Sequence, residues 1–243
     1  SEALKRASEI QRIILHGCDP LIIYSQIQDK TICTVDGYCM TYGPSKSSNM
    51  KMKSSIIYHL ERTNQLSAFG HEDLLGNFQW NCAIAKNLVK LYDQFIEMLI
   101  LIIHLGSGMP ARGTELATYT ICTTRPSSRV AYFLGKRVYF LCLYNKTNNF
   151  FGTSRPIARF LDETASRIFL IDYFIIRPFI ALLAKSLNQN ENNIYMQKVF
   201  IYNGKRLDSE GISSLFTRNF GLLSGASIKF HEYRQIATYF GRQ

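Results

Sequence analysis

Apolar residues recur at helical spacing in the first sixteen residues, with Leu4, Ile10, Ile13 and Ile14 on one side. This predicts an opening helix over Ala3 to His16. Cys18-Asp19-Pro20 breaks it, and a short apolar stretch from Leu21 to Ile27 follows. Residues 28–50 are rich in Gly, Ser, Thr and Asp, with Gly43-Pro44-Ser45 as a loop signal. Met50 to Leu66 reads as helical again. From His71 to Leu105 the pattern predicts one long helix, or two joined near Trp80. Its apolar positions Leu88, Leu91, Tyr92, Phe95, Leu99, Ile102 and Ile103 share a helical stripe. Gly106-Ser107-Gly108-Met109-Pro110 ends it, and a short helix carrying Glu115 and Leu116 begins.

The period then changes. Val130–Leu134 and Val138–Tyr144 are aromatic and β-branched runs around Gly135-Lys136-Arg137, a strand–turn–strand signal. Asn145 to Ser154 reads as a polar loop and Arg155 to Leu161 as a third strand. A long helix is expected from Asp162 to Leu187, and a loop over Asn188 to Asn193. A short strand at Val199-Phe200-Ile201 with a turn at Asn203-Gly204 comes next. Asp208 or Ser209 is placed to cap a helix ending near Phe220. Gly221 to Ala226 reads as a loop, and the last helix carries His231 and Arg234. The fold class expected is α+β, mostly helical, with a small antiparallel sheet. A boundary is expected near residue 67, between a helical N-terminal region (1–66) and a larger domain (67–243).

Two greasy stretches, Phe95 to Leu105 and Arg167 to Ala184, suggest membrane spans. The first is too short, and the second contains Asp172, Arg177 and Pro178, so both read as core helices and no membrane partner is expected. Cys18, Cys33, Cys39, Cys82, Cys122 and Cys142 form no CxxC and have no zinc-finger spacing with His, so no metal site is expected. Free thiols and the lack of a secretory signal suggest an intracellular protein, nuclear or cytoplasmic.

Charge sharpens the picture. The formal net charge is +10, a balance that favours nucleic acid or another anionic surface. Residues 1–66 carry 8 Lys/Arg against 6 Asp/Glu, whereas residues 67–243 carry 20 against 12. No acid occurs between Leu116 and Leu161, yet Arg125, Arg129, Lys136, Arg137, Lys146, Arg155 and Arg159 all fall there. These residues, with Lys229, are candidate contacts to a polyanion, the alternative being a face kept basic for solubility.

His231 and Arg234 are three apart, which sets both on one helical face, and such a pair suits a phosphate. Upstream stand Arg112-Gly113-Thr114-Glu115-Leu116 and, after the predicted hairpin, Asn145-Lys146-Thr147; Lys136 competes with Lys146 as the hairpin lysine. Arg-x-x-Glu-Leu, a hairpin lysine and His-x-x-Arg, in this order, resemble the catalytic domain of tyrosine recombinases. The wording Pro110-Ala111-Arg112-Gly113-Thr114-Glu115-Leu116 is similar to divergent, crypton-like recombinases of fungal transposable elements. The resemblance covers about residues 70–243. It makes residues 1–66 a candidate for part of a core-binding domain.

The resemblance implies a chemistry. Arg112 and Arg234 would fork the nonbridging oxygens of a DNA phosphodiester, where transition-state charge builds up. Lys146 would protonate the leaving 5′ oxygen, and His231 would assist proton transfer or brace the phosphate. A tyrosine would attack to give a 3′-phosphotyrosine link, with no metal or nucleotide cofactor. The implied partners are double-stranded DNA and further copies of the chain assembled on it. The family places a second His or Trp, and then the nucleophilic Tyr, well beyond the second box. Tyr239 stands closer to Arg234 than that, and Gln235 occupies a place where many members have His. The expectation is therefore a domain whose nucleophile segment lies outside this chain, or a recombinase-derived protein that binds DNA without cutting it. Glu115 is expected to act structurally, by pairing an arginine or capping its helix.

Overall fold

A computed structural model describes residues 1–30, 33, 35–124, 129–142, 156–188 and 191–240. The chain folds as a mostly helical α+β protein arranged around one long helix, α5 (Cys82–Gly106). Asn81 starts α5 by accepting from the backbone N–H groups of Ala83 and Ile84, two of the donors a helix start leaves free. Fifteen of its residues are buried, and from Phe95 to His104 every position is, so α5 forms a spine rather than a surface helix. Three helices pack most extensively along it: α1 (Glu2–Leu15), α8 (Arg177–Ser186) and α9 (Ser209–Ser224).

The N-terminal part adds two short helices, α2 (Lys46–Lys53) and α3 (Ser55–Arg62), a single turn α4 (Leu66–Phe69), and the strand pair β1 (Ile27–Gln28) and β2 (Thr41–Tyr42). The helix expected over Met50 to Leu66 thus begins earlier and is divided at Ser54. Ala3, Ala7, Ile14, Ile56 and Leu60 belong to the same buried cluster as α5, so one core runs across residue 67.

Residues 70–80 are not helical. They form an antiparallel hairpin, β3 (Gly70–Glu72) and β4 (Phe78–Trp80), with Glu72 opposite Phe78. The Asp73 carboxylate turns the chain by accepting from the Leu75 and Asn77 backbone N–H groups and from the Gln79 amide. Gly76 supplies the left-handed conformation, φ +79°. Trp80 then packs edge-on against Phe179 of α8.

The three-stranded sheet has the order β5 (Ala131–Leu134), β6 (Arg137–Cys142), β7 (Ile157–Phe160), all antiparallel. Leu134 pairs with Arg137 across a tight turn at Gly135-Lys136, so Arg137 belongs to the strand and not to the turn. Tyr132, Tyr139 and Phe160 stack across one face. The other face rests on α7 (Glu163–Ile171), whose Ser166 hydroxyl accepts from the Val138 N–H at 2.9 Å. α6 (Gly113–Leu116), the strand pair β8 (Ile201–Tyr202) and β9 (Lys205–Arg206), α10 (Phe230–Phe240) and two 3₁₀ segments, Tyr24–Gln26 and Glu191–Met196, complete the described elements, the second 3₁₀ segment starting inside the loop expected over Asn188 to Asn193. Asp208 caps α9, which runs on to Ser224 through the expected loop and stops at Gly225, φ 70°.

α7 and α8 are one rod interrupted by a π-helical turn, Asp172–Ile176, in which the Arg177 N–H reaches back to the Asp172 carbonyl. Pro178 lacks the N–H that a regular ladder would use, and the wider turn accommodates it. Inside this turn the Asp172 carboxylate receives Arg177 Nε at 2.9 Å and Nη2 at 2.7 Å, and the Tyr92 hydroxyl at 2.9 Å. The remaining Arg177 donors go to the carbonyls of Tyr195, Lys198 and Val199. Asp172 and Arg177 are both without solvent exposure. Replacing Arg177 by Met should cost about 3–5 kcal/mol, because it strands a buried carboxylate and three carbonyls. The double variant Asp172→Leu/Arg177→Met should recover part of that loss; urea midpoints of the two variants and the parent measure both effects.

Candidate phosphate-binding site

The loop after α5 is held from three sides. Ser107 turns back to donate to the Ile103 carbonyl. Arg159, from β7, donates through Nε to the Met109 carbonyl at 2.8 Å and through Nη2 to Glu115 at 2.9 Å. Arg234, from α10, donates through Nε to the Pro110 carbonyl at 3.3 Å. The same Glu115 oxygen accepts the Arg112 backbone N–H at 3.2 Å. Arg112 is the N-cap of α6; an arginine side chain cannot accept from an N–H, so only the carboxylate half of a reciprocal cap is made. Glu115 therefore does both things expected of it, capping a helix start and pairing an arginine.

This arrangement leaves the Arg112 guanidinium without a hydrogen-bond or ion-pair partner among the described residues, at a half-buried position. Gly113 seats the start of α6 against α9: a Cβ there would lie 2.6 Å from Ser209 Oγ. Arg112 and Arg234, 122 residues apart in sequence, thus stand on the same short loop and its bracing helix. Arginine forks of this kind match the planar oxygen pairs of a phosphate.

His104, at the end of α5, lies directly behind. It is fully buried, stacked 4.0 Å from the Phe230 ring and edge-on to Phe216, and neither ring nitrogen has a hydrogen-bond partner among the described residues. Burial first, and the Arg159 and Arg234 charges second, bring its pKa down to about 3. The imidazole is therefore neutral, and the two guanidinium groups meet no third cation behind the loop.

His231 is exposed on α10 and lines, with Lys229, Ser213 and Thr217, a shallow pocket of about 550 Å³ between α9 and α10. Ser213 also approaches the Gly113 position, so this pocket adjoins the Arg112 turn. Lys229 is exposed, and its backbone N–H donates to Glu232 at 2.8 Å. Lys136 and Arg137 are exposed at the β5–β6 tip, at the other end of β6 from Cys142, which is roughly 17 Å from Arg137 by strand rise.

Two candidates from the acid-free stretch are not surface contacts. Arg129 is 2% exposed, ion-paired with Asp29, and flanked by the Tyr38 and Tyr132 rings. Arg159 is 4% exposed and committed to Glu115 and Met109. Their acids come from distant sequence, so the local absence of Asp and Glu concealed the pairing. Lys146, Arg125 and Arg155 lie outside the described residues. Sequence reasoning missed the bracing role of Arg159 and the buried His104. Neither carries a local signal, since Arg159 is one polar residue within a strand and His104 ends an apolar run.

Among the described residues, no helix is long and apolar enough to cross a membrane, and no group of three or more His, Cys, Asp or Glu could hold a metal. No family model matches the chain, and no solved structure matches it.

The His104 environment has a pH consequence. Its pKa in the folded chain lies far below the ordinary 6.5. Above that ordinary value both states are neutral; as pH falls below it, the unfolded chain takes a proton that the folded chain refuses, and stability is lost. His104→Leu should flatten this acid limb, with the variant gaining about 1–3 kcal/mol on the parent between neutral pH and about pH 4. Urea titrations at several pH values check it, and parallel acid limbs for the two proteins would refute it.

Proposed function

We propose that this chain is a duplex-DNA-binding protein of the tyrosine-recombinase type, in which Arg112 and Arg234 together hold one backbone phosphate. The observation that carries this reading is the Arg234 Nε–Pro110 carbonyl contact at 3.3 Å. It joins the Arg-x-x-Glu-Leu and His-x-x-Arg segments, the two that the resemblance pairs. Support also comes from the Arg112 guanidinium, unpartnered among the described residues, from the exposed cations Lys136, Arg137 and Lys229, and from the net charge of +10.

The chemistry follows from the braced loop. Glu115 and Arg159 fix the backbone on either side of Arg112, so its side chain needs little reorganisation to meet a phosphate. Arg234 spends its Nε on the loop, and its Nη groups, unpartnered among the described residues, would meet the ligand. His231, which lines the neighbouring pocket, would brace the phosphate or pass a proton. Lys146 is the proposed acid for the departing 5′ oxygen. In a full-length form with a nucleophilic tyrosine, this grip would serve cleavage and rejoining through a 3′-phosphotyrosine. Without that nucleophile, the same grip would serve binding alone. A suicide duplex that traps a covalent adduct separates the two.

For the binding itself, fluorescence anisotropy with a labelled duplex should show affinity falling steeply as salt rises. Arg112→Ala and Arg234→Ala should each weaken binding about tenfold and reduce the salt slope by about 1. Unchanged affinity in both variants would sink the shared phosphate site.

A further inference from the structure

Cys39 and Cys122 lie directly opposite each other in an isolated antiparallel bridge, although 83 positions separate them in sequence. The next rung is the bond from the Thr123 N–H to the Tyr38 carbonyl at 2.8 Å. Hydrogen-bonded and non-hydrogen-bonded pairs alternate along an antiparallel ladder, so Cys39 and Cys122 form a non-hydrogen-bonded pair. In such a pair the Cα atoms stand about 4.5 Å apart and both side chains leave the same face. A disulfide spans Cα separations of about 4.4–6.8 Å. The backbone therefore already has the spacing that a bridge requires, while neither thiol is in a disulfide.

The surroundings hold that spacing. Met40 and Ile121, the next residues inward on each side, are both fully buried, which sends Cys39 and Cys122 to the other face. The Tyr173 hydroxyl donates to the Met40 carbonyl at 2.9 Å. The Gly37 N–H donates to the Thr123 carbonyl at 2.7 Å, and the Ile121 N–H to the Gln197 carbonyl at 3.0 Å. The two thiols differ in access. Cys39 is half-buried, whereas Cys122 is buried. Burial first, and the Cys39 thiol second, raise the Cys122 pKa above its ordinary value. Cys39 is thus the thiol that meets an incoming reagent, and Cys122 the one that resolves the product.

We propose that Cys39 and Cys122 form a redox modification site, closed into a disulfide by exchange with a small-molecule disulfide of the glutathione class. The Cys39 thiolate attacks one sulfur of the reagent. The reagent's S–S bond breaks, and one small thiolate leaves and takes up the proton that Cys39 released. The Cys122 thiolate then attacks the Cys39 sulfur of the mixed disulfide, and the second small thiolate leaves with the Cys122 proton. The two cysteines are oxidised and the reagent is reduced to two thiols. Such a pair rests reduced where thiols dominate and closes as the disulfide fraction rises. Closure joins the strand that leads into β2 to the segment that follows α6. The inference is independent of the phosphate site, to which neither cysteine belongs.

Incubating the full chain with oxidised glutathione, then alkylating and mapping its peptides by mass spectrometry, tests it. The parent should lose two hydrogens and yield one peptide pair linked through Cys39 and Cys122, released again by a reductant. Cys122→Ser should stop at the mixed disulfide, with one glutathione on Cys39. Cys39→Ser should leave Cys122 unmodified. Exposed Cys82 serves as the internal reference. If Cys39 and Cys122 both remain open to alkylation once Cys82 has reacted, the proposal is overturned. A link from either thiol to a different cysteine, such as Cys33, would overturn it as well.

Discussion

The buried Asp172–Arg177 pair is the interaction on which the rest of the structure depends. Desolvating two charges is expensive, and the cost is offset only when nearly every donor and acceptor is used. Here the guanidinium uses both sides of its fork: two donors close on the carboxylate, and the others take the carbonyls of Tyr195, Lys198 and Val199. Those carbonyls belong to the segment that pairs with residues 119–121, through Val199 N–H to the Tyr119 carbonyl and Ile121 N–H to the Gln197 carbonyl. Residues 119–121 in turn follow α6 closely. The position of Arg112 is therefore fixed, at two removes, by an ion pair deep in the core.

A second buried pair extends the same logic toward the surface. Arg159 ties the sheet to the loop after α5, and Glu115 ties that loop to its own helix start. The two arginines proposed to meet phosphate are thus supported by a third that is buried away from solvent. This division explains why a cation-rich stretch is not uniformly a binding face. Some of its charge is structural, matched by carboxylates that the fold brings in from far along the chain, as Asp29 is brought to Arg129.

Much of the fold was legible in the sequence. The opening helix, the β5–β7 sheet, the Asp208 cap and the final helix follow from periodicity and capping chemistry, because each is decided by residues close in the chain. The 70–80 hairpin was not legible. Its polar and apolar residues do not alternate cleanly, and its turn depends on one carboxylate gathering three donors. The division at Ser54 and the extension of α9 to Ser224 are likewise decided by local competition among weak signals. At the candidate site, the residue types of Arg112, Glu115, His231 and Arg234 were readable. Their bracing by Arg159, and the caged His104, arise only from packing between elements.

The length of α5 has one more consequence. At 25 residues it spans roughly 37 Å, with exposed Lys86 and Lys90 near one end and buried His104 near the other. It has no proline between them. Packed on every side from Phe95 to His104, the far end cannot tilt without repacking the core, so the ring beneath the arginine loop is held in register.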